Sequence, residues 1–246
     1  MRRFKVEYAC VCSVGRRRRN NEDNFYCDGQ IREDVDSTED VELSGETAAD
    51  TNELFAVFDG MGGEACGEIA SYTAAAEARE FALRRMEYEE YLYELAERLN
   101  EKVREETEAR SLVLMGTTAA MIQVSGEDVY ILNAGDSRIY KLSKHELRQI
   151  SEEHIAVSGG GKAITKFLGL PAEHSLHPYI AMGKYKPGDI FLLCSDGVTD
   201  MLSDSEILEI IDSKRELSET ARELVDAVLE KGGIDNTTAI LLRFKK

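Results

Sequence analysis

Long apolar runs are missing from this chain. Nothing in it approaches the ~20 residues a membrane-spanning helix needs, and the longest candidates are strand-length. Proline occurs only three times. No Pro/Gly/Ser-rich linker and no internal repeat divides the 246 residues, so one domain over residues 1–246 is expected. Met1-Arg2-Arg3-Phe4-Lys5 leads straight into an alternating pattern, which argues against a secretory leader. Five cysteines leave one unpaired, and four lie in or beside apolar segments; buried thiols in a reduced, cytoplasmic protein are the simplest account. Cys10-Val11-Cys12 has no second Cys/His pair at zinc-finger spacing. Positive charge is scarce too: 30 Lys and Arg against 47 Asp and Glu give a net charge of -17. Such a chain repels nucleic-acid backbones, and it repels phosphorylated substrates unless metal ions and arginines invert the local field.

More than half of that net charge, -9, falls in residues 28–53, where ten acidic residues meet one basic one. The stretch is polar and nearly free of aromatics, and reads as an acidic surface loop. Asp34, Asp36 and Thr38 imitate a calcium loop, but Glu39 stands where the sharp-turn glycine is needed. Residues 4–12 read as a strand, and 54–58 as a fully apolar buried strand running into Asp59. A long helical region is expected over 64–110; its stripe of Tyr88, Tyr91, Leu92, Leu95, Leu99 and Val103 belongs in a core. Period two returns over 117–124, 129–134 and 138–142, an antiparallel meander with turns at Ser125-Gly126 and Gly135-Asp136. Residues 151–188 look irregular. A strand over 190–194, helices over 204–212 and 216–231, and a closing strand over 237–243 complete the pattern of two sheets covered by helices.

The chain is rich in carboxylates at the ends of these strands. They stand in Asn21-Glu22-Asp23, in Asp59-Gly60-Met61-Gly62-Gly63, in Gly135-Asp136-Ser137-Arg138 with Ser195-Asp196-Gly197, and in Asp235-Asn236-Thr237-Thr238. Delivered to one end of a sheet, they can share hard cations such as Mg2+ or Mn2+, which prefer oxygen ligands. Two such ions about 4 Å apart make a hydrolytic site of the kind used on phosphate esters. Any one motif alone reads as turn chemistry. Gly135-Asp136 could close a hairpin, and Arg16 to Arg19 could be a solvated basic patch. Gly159-Gly160-Gly161-Lys162 lacks the leading glycine and hydroxyl residue of a phosphate loop and reads as a flexible loop.

In combination the motifs are specific. Gly15-Arg16-Arg17-Arg18-Arg19-Asn20-Asn21-Glu22-Asp23, Val57-Phe58-Asp59-Gly60-Met61-Gly62-Gly63, Gly116-Thr117-Thr118, Gly135-Asp136-Ser137-Arg138 and Cys194-Ser195-Asp196-Gly197 resemble, in this order, the metal-dependent serine/threonine protein phosphatase family (PPM, type 2C) in its bacterial branch. The resemblance implies an α+β fold, a four-layer α-β-β-α sandwich with two central antiparallel sheets and metals at one end. It implies that Asp59 bridges two Mn2+ or Mg2+ ions and that the Gly60 carbonyl joins one of them. Asp196 and Asp235 then complete the first shell, and Glu22 and Asp23 serve the second ion, partly through water. Asp136 with Asp196 is implied as a weaker third-ion site, and Arg18 as the holder of the substrate phosphate. Asp59, Asp196 and Arg18 are thus the expected catalytic set, with a water activated by both metals attacking phosphorus and no protein nucleophile. Gly60, Gly62 and Gly63 are expected to let the backbone turn sharply and approach the metal closely.

The implied function is a cytoplasmic, monomeric signalling hydrolase that removes phosphate from serine or threonine in phosphorylated proteins. It opposes a bacterial Ser/Thr kinase acting on the same substrates. Rival readings are a phosphatase of an anti-sigma-factor antagonist or of a small phosphate ester, a non-catalytic phosphoprotein-binding domain, and a metal store. Departures from the family pattern matter. Met61 and Glu64 stand where relatives carry histidines, so protonation of the leaving oxygen falls to metal-bound water or Glu64. His154 is expected to be structural and hydrogen-bonded. Only nine residues separate His154 from Ile164. This region, 154–170, therefore reads as a shortened flap with broader peptide selection.

Overall fold

Strands that are apolar on both faces must be covered on both sides, and that requirement builds the molecule. The computed structural model describes residues 4–49, 53–61, 66–82, 88–158 and 161–246. Along the chain the elements are β1 (Lys5–Ser13), β2 (Asp23–Cys27), β3 (Val41–Ala48), β4 (Glu53–Met61), α1 (Gly67–Ala82), α2 (Tyr88–Ala109), β5 (Gly116–Thr117), β6 (Ala119–Ser125), β7 (Asp128–Ala134), β8 (Arg138–Ser143), β9 (Glu146–Gln149), β10 (Ile155–Ser158), β11 (Gly161–Ile164), β12 (Tyr179–Lys184), β13 (Ile190–Cys194), α3 (Asp196–Thr199), α4 (Asp204–Ile211), α5 (Leu217–Glu230) and β14 (Thr237–Lys245). One sheet has the order β3-β1-β14-β13-β8-β9 and the other β12-β7-β6-β4-β2, with β5 beside the end of β4. The pairings within both are antiparallel.

Alternation along single strands assigns each side chain to a layer. In β4, Phe55 and Val57 fill the space between the sheets, while Leu54, Ala56 and Phe58 face the layer of α1 and α2. In β14, Ile240, Leu242 and Phe244 point between the sheets and Ala239 and Leu241 toward α4 and α5. The result is the expected four layers, helices outside and two sheets within. Small residues, Ala70, Ala74 and Ala78, line the buried side of α1 where it packs on β4 and β2. Tyr91, Leu92, Leu95, Leu99 and Val103 are buried in the same layer, so the α2 stripe is core; the Tyr88 side chain lies outside what is described.

Several expectations change. Residues 28–53 are not wholly a loop: 41–48 form β3, the edge strand against β1. Val41 and Leu43 pack against the inter-sheet core while Glu42, Ser44 and Glu46 face out. The acidic composition hid a period of two, and the acids are the charged outer face of an edge, where they oppose edge-to-edge association. The helical region 64–110 is two helices. The meander breaks after β7, because β8 belongs to the other sheet, so Gly135-Asp136 closes no hairpin but carries the chain across. Residues 151–188 contain the β10–β11 hairpin and edge strand β12. Gly62, Gly63, Glu64, Gly159 and Gly160 lie outside the described residues. All five cysteines are free, with Cys66 alone half-buried and the other four buried. Among the described residues no helix is long and apolar enough to cross a membrane.

Phe55 is fully buried where the sheets face each other. Phe55→Ala should lower unfolding stability by about 3–5 kcal/mol. Urea denaturation checks this as a reduced midpoint at unchanged slope.

Candidate active site

Strands from both sheets end at the same place and deliver their carboxylates there. Asp23 begins β2 and stands directly opposite Asp59 of β4 in the ladder. Asp196 follows β13 at the start of α3, Asp235 precedes β14, and Asp136 lies on the crossing from β7 to β8. Like charges opposed across a ladder are unfavourable, so packing alone does not account for the pair. The electrostatics show how close the groups are. Burial pushes the Asp59 carboxyl well above the usual range, and Asp23, Asp196, Asp136 and Asp235 push it further. Asp196 is pushed up to about 7 by burial and then by Asp136, Asp23 and Asp235. Glu22 is raised as well, by burial first, with Arg18 pulling down and Glu68 and Asp235 pushing up.

Gly60 is required by close approach rather than by a turn. The backbone continues as strand to Met61, and the Gly60 amide donates to the Glu22 carbonyl at 3.0 Å. A Cβ on Gly60 would sit 2.1 Å from the Gly67 carbonyl oxygen and 2.6 Å from that of Glu22. A Cβ on Gly67 would in turn meet the Gly60 carbonyl at 2.9 Å and the Glu22 carboxylate at 3.0 Å. Two bare positions thus keep the Gly60 carbonyl beside the Glu22 carboxylate.

Hydroxyls hold the aspartates in place. The Asp59 amide donates to Thr118 Oγ1 at 3.0 Å, and its carbonyl accepts from the Thr118 amide at 2.8 Å and Thr117 Oγ1 at 2.9 Å. Thr118 Oγ1 and Ser137 Oγ are 2.7 Å apart, which ties the β5–β6 segment to the Asp136 crossing. Asp23 is 1% exposed, and its Oδ2 accepts from Ser195 Oγ at 2.8 Å and Thr238 Oγ1 at 2.7 Å. Burial raises Asp23 to about 7 against the pull of both hydroxyls and of Arg32.

Arg32 and Asn236 organise the site, and neither received a role from the sequence. Arg32 is the single base in the stretch read as acidic loop, yet it is 2% exposed. Its guanidinium donates to the carbonyls of Asp23 (Nε, 3.1 Å), Asp34 (2.8 Å) and Asn21. A buried cation thus compensates the buried end of β2. Asn236 Oδ1 accepts from the Glu22 amide at 2.8 Å, and its Nδ2 donates to the Val14 and Asn20 carbonyls, both at 3.0 Å. The only available signal was the polar Asp-Asn pair before an apolar strand.

Arg18 faces the cluster, donating to Asp235 Oδ2 at 2.7 Å with Glu22 at 4.0 Å. The β10–β11 hairpin brings Lys162 close enough to Asp136 to pull its carboxyl down, although burial still leaves it raised. His154 differs from expectation. Its backbone is hydrogen-bonded to Gly135 and Thr165, but its buried Nδ1 has no partner, and burial pushes the ring's pKa down.

Among the described residues, no three carboxylate, histidine or cysteine side chains close around one point as a finished ligand set. The donor chemistry nevertheless fits hard cations, because the converging groups are oxygen donors. Asp23 Oδ1 and Asp136 Oδ1 are buried with no hydrogen-bond partner. Arg18, Arg32 and Lys162 supply less positive charge than the carboxylates they face. Desolvated carboxylates without counter-charge are costly, and divalent cations would offset that cost.

A pH dependence follows for the protein in chelator. Asp23 and Asp196 have folded values of about 7, against ~3.9 when unfolded. Between these values the folded state binds more protons, so stability falls as pH rises through that window. Melting temperature in chelator should therefore climb from about pH 7.5 to about pH 5.5, and Mn2+ should raise it more at the higher pH. A scan in which chelated protein melts lower at the acidic end would count against the cluster.

Comparison with known proteins agrees with this geometry. Residues 42–231 match the family model for protein phosphatase 2C. The chain is similar to the serine/threonine phosphatase stp of Listeria monocytogenes serotype 4b (strain F2365), with 30% identity over 93% of this chain and 92% of that one. It is 29% identical to the serine/threonine protein phosphatase PstP of Mycobacterium tuberculosis over 96% of its own length, and spans 44% of that longer protein. The crystal structure of the PstP catalytic domain in complex with 2 manganese ions superposes with a TM-score of 0.80 at 28% identity, covering 99% of this chain and 100% of that one. PppA, a regulatory component of T6SS in Pseudomonas aeruginosa, superposes with a TM-score of 0.78 at 29% identity, covering 97% of each chain. With most of its length matched and the same layers delivering acids to one end of two sheets, this chain belongs to the protein phosphatase 2C family.

Proposed function

We propose that the chain is a Mn2+- or Mg2+-dependent phosphatase that hydrolyses phosphoserine and phosphothreonine in proteins. One observation carries the reading: carboxylates from strands of both sheets converge at one end without enough protein cations to balance them. In this reading Asp59, Asp196 and Asp235 would hold the first ion, and the Gly60 carbonyl, which lies beside the Glu22 carboxylate, would join the second. Asp59, Glu22 and Asp23 serve the second, and Asp136 with Asp196 a weaker third. Burial and two hydroxyl partners support a water-mediated role for Asp23. Bound divalent cations supply charge stabilisation for the transferring phosphoryl group and lower the pKa of water.

The chain's own residues do the rest. Arg18 is half-exposed and rests on Asp235. Were Asp235 engaged in holding a cation, the Arg18 guanidinium would be free to fork onto two phosphate oxygens. Ser195 is not a nucleophile in this scheme: its hydroxyl donates to Asp23 and accepts from the Thr238 amide at 2.9 Å. It positions Asp23. Fully buried Cys10, Cys12 and Cys194, whose thiols burial pushes up, are likewise held out of the chemistry. The short β10–β11 hairpin leaves the site open to varied phosphoprotein segments. Phosphorylated proteins of a bacterial Ser/Thr kinase are the substrates, acted on by a single-domain cytoplasmic monomer; the likeness to bacterial serine/threonine phosphatases supports the substrate class, and the five free thiols support a reducing compartment.

Asp196→Ala and Asp59→Asn should each reduce Mn2+-dependent turnover of a phosphothreonine peptide by at least about a thousandfold, with circular dichroism unchanged. Chelator should do the same to the unmodified protein, and turnover that survives it would sink the assignment. Ser195→Ala should raise the Mn2+ concentration needed for half-maximal activity by roughly 10–100-fold yet recover near-normal kcat at saturating metal. A nucleophile could not be rescued in that way. Arg18→Ala should weaken peptide KM on the order of tenfold.

A further inference from the structure

In a chain of net charge -17, four consecutive arginines, Arg16 to Arg19, stand at the rim of the acidic centre. Their loop is firmly mounted. One carboxamide, Asn236 Nδ2, grips the Val14 and Asn20 carbonyls on either side of it. The Arg16 amide donates to the Gly233 carbonyl at 2.8 Å. Gly15 enters the loop at φ +77, where a Cβ would lie 2.3 Å from the Asp235 carbonyl oxygen. Only glycine fits that conformation and approach. The loop is thus pressed against the backbone of a residue whose carboxylate belongs to the cluster.

The arginines divide their work. Arg18 turns inward to Asp235 and Glu22. Arg17 and Arg19 are exposed, and among the described residues neither makes a hydrogen bond or ion pair through its side chain. Most other described arginines, Arg79, Arg98, Arg110, Arg138, Arg148, Arg215, Arg222 and Arg243, each find a carboxylate, whereas Arg16 and Arg104 share the unpaired state and Arg32 binds carbonyls. A guanidinium mounted on a fixed loop loses little freedom on binding and matches a carboxylate or phosphate in a fork. An anionic segment approaching this centre otherwise meets net repulsion.

We propose that Arg17 and Arg19 form a recognition edge that selects phosphoprotein segments carrying anionic residues beside the phosphorylated one. The anion is a carboxylate or a second phosphate. The inference rests on the phosphatase reading and adds to it the class of sequence preferred.

The test is a panel of phosphothreonine peptides with neutral flanks, Asp/Glu flanks or a second phosphothreonine, together with nitrophenyl phosphate, all in Mn2+. The unmodified protein should favour the two anionic peptides over the neutral one by roughly tenfold in kcat/KM, about threefold for each exposed cation. The preference should lie in KM and fade with added salt. Arg17→Ala/Arg19→Ala should abolish it while leaving the neutral peptide and nitrophenyl phosphate unchanged. Preference for only one anionic peptide identifies which group is read. Absence of any preference, its persistence in the double variant, or an equal loss on every substrate overturns the proposal. If nothing is turned over, the catalytic reading has failed, and fluorescence anisotropy of the same peptides in Mn2+ judges the loop alone: tighter binding of anionic peptides that the double variant loses supports it, and equal affinities overturn it.

Discussion

Mutual repulsion among carboxylates gathered in a desolvated place is the constraint on which the rest of this structure depends. Asp59, Asp196, Asp136, Asp235 and Asp23 each raise the proton affinity of a neighbour. A fold that assembles such a group without a counter-ion gives up stability at neutral pH. The surrounding architecture is the means of tolerating it. Two sheets with cores on both faces supply closely packed strands, and the acids sit where those strands end.

Around the acids lies a shell of neutral and cationic partners, each from a different part of the chain. Thr117 and Thr118 bracket the Asp59 backbone, Ser195 and Thr238 share one oxygen of Asp23, and Arg32 binds the carbonyls beneath the β2 end. These groups orient carboxylates without neutralising all of them, which is what a site for exchangeable divalent ions requires. Rigid placement matters because charge stabilisation in phosphoryl transfer depends on groups already in position when the reaction begins.

The layers were readable because apolar side chains alternate cleanly in β4 and β14 and recur at helical spacing in α2. The converging carboxylates were readable because Asp-Gly motifs end apolar strands and an Asp-Asn motif opens the last one. β3 was not, since ten acids among 28–53 mask the alternation of Val41, Leu43 and Gly45. Arg32 was hidden by the same composition; a lone base in an acidic run looks solvated, and only the tertiary fold buries it. Of the two reasons expected for Gly60, a sharp turn and a close approach, the structure shows the close approach while the backbone stays in strand. The β7-to-β8 crossing also escaped, because a turn within a sheet and a step between sheets share the same local residues.

β14 lies between β1 and β13, and the residues immediately before it, Asp235 and Asn236, pair with Arg18 and with the Val14–Glu22 segment. The earliest and latest described strands are therefore neighbours in one ladder, and the cluster draws on both ends of that span. Contacts so far apart in sequence form late and at high entropic expense during folding. A partly folded or nascent chain has no assembled centre, so hydrolytic competence arrives together with the completed tertiary structure.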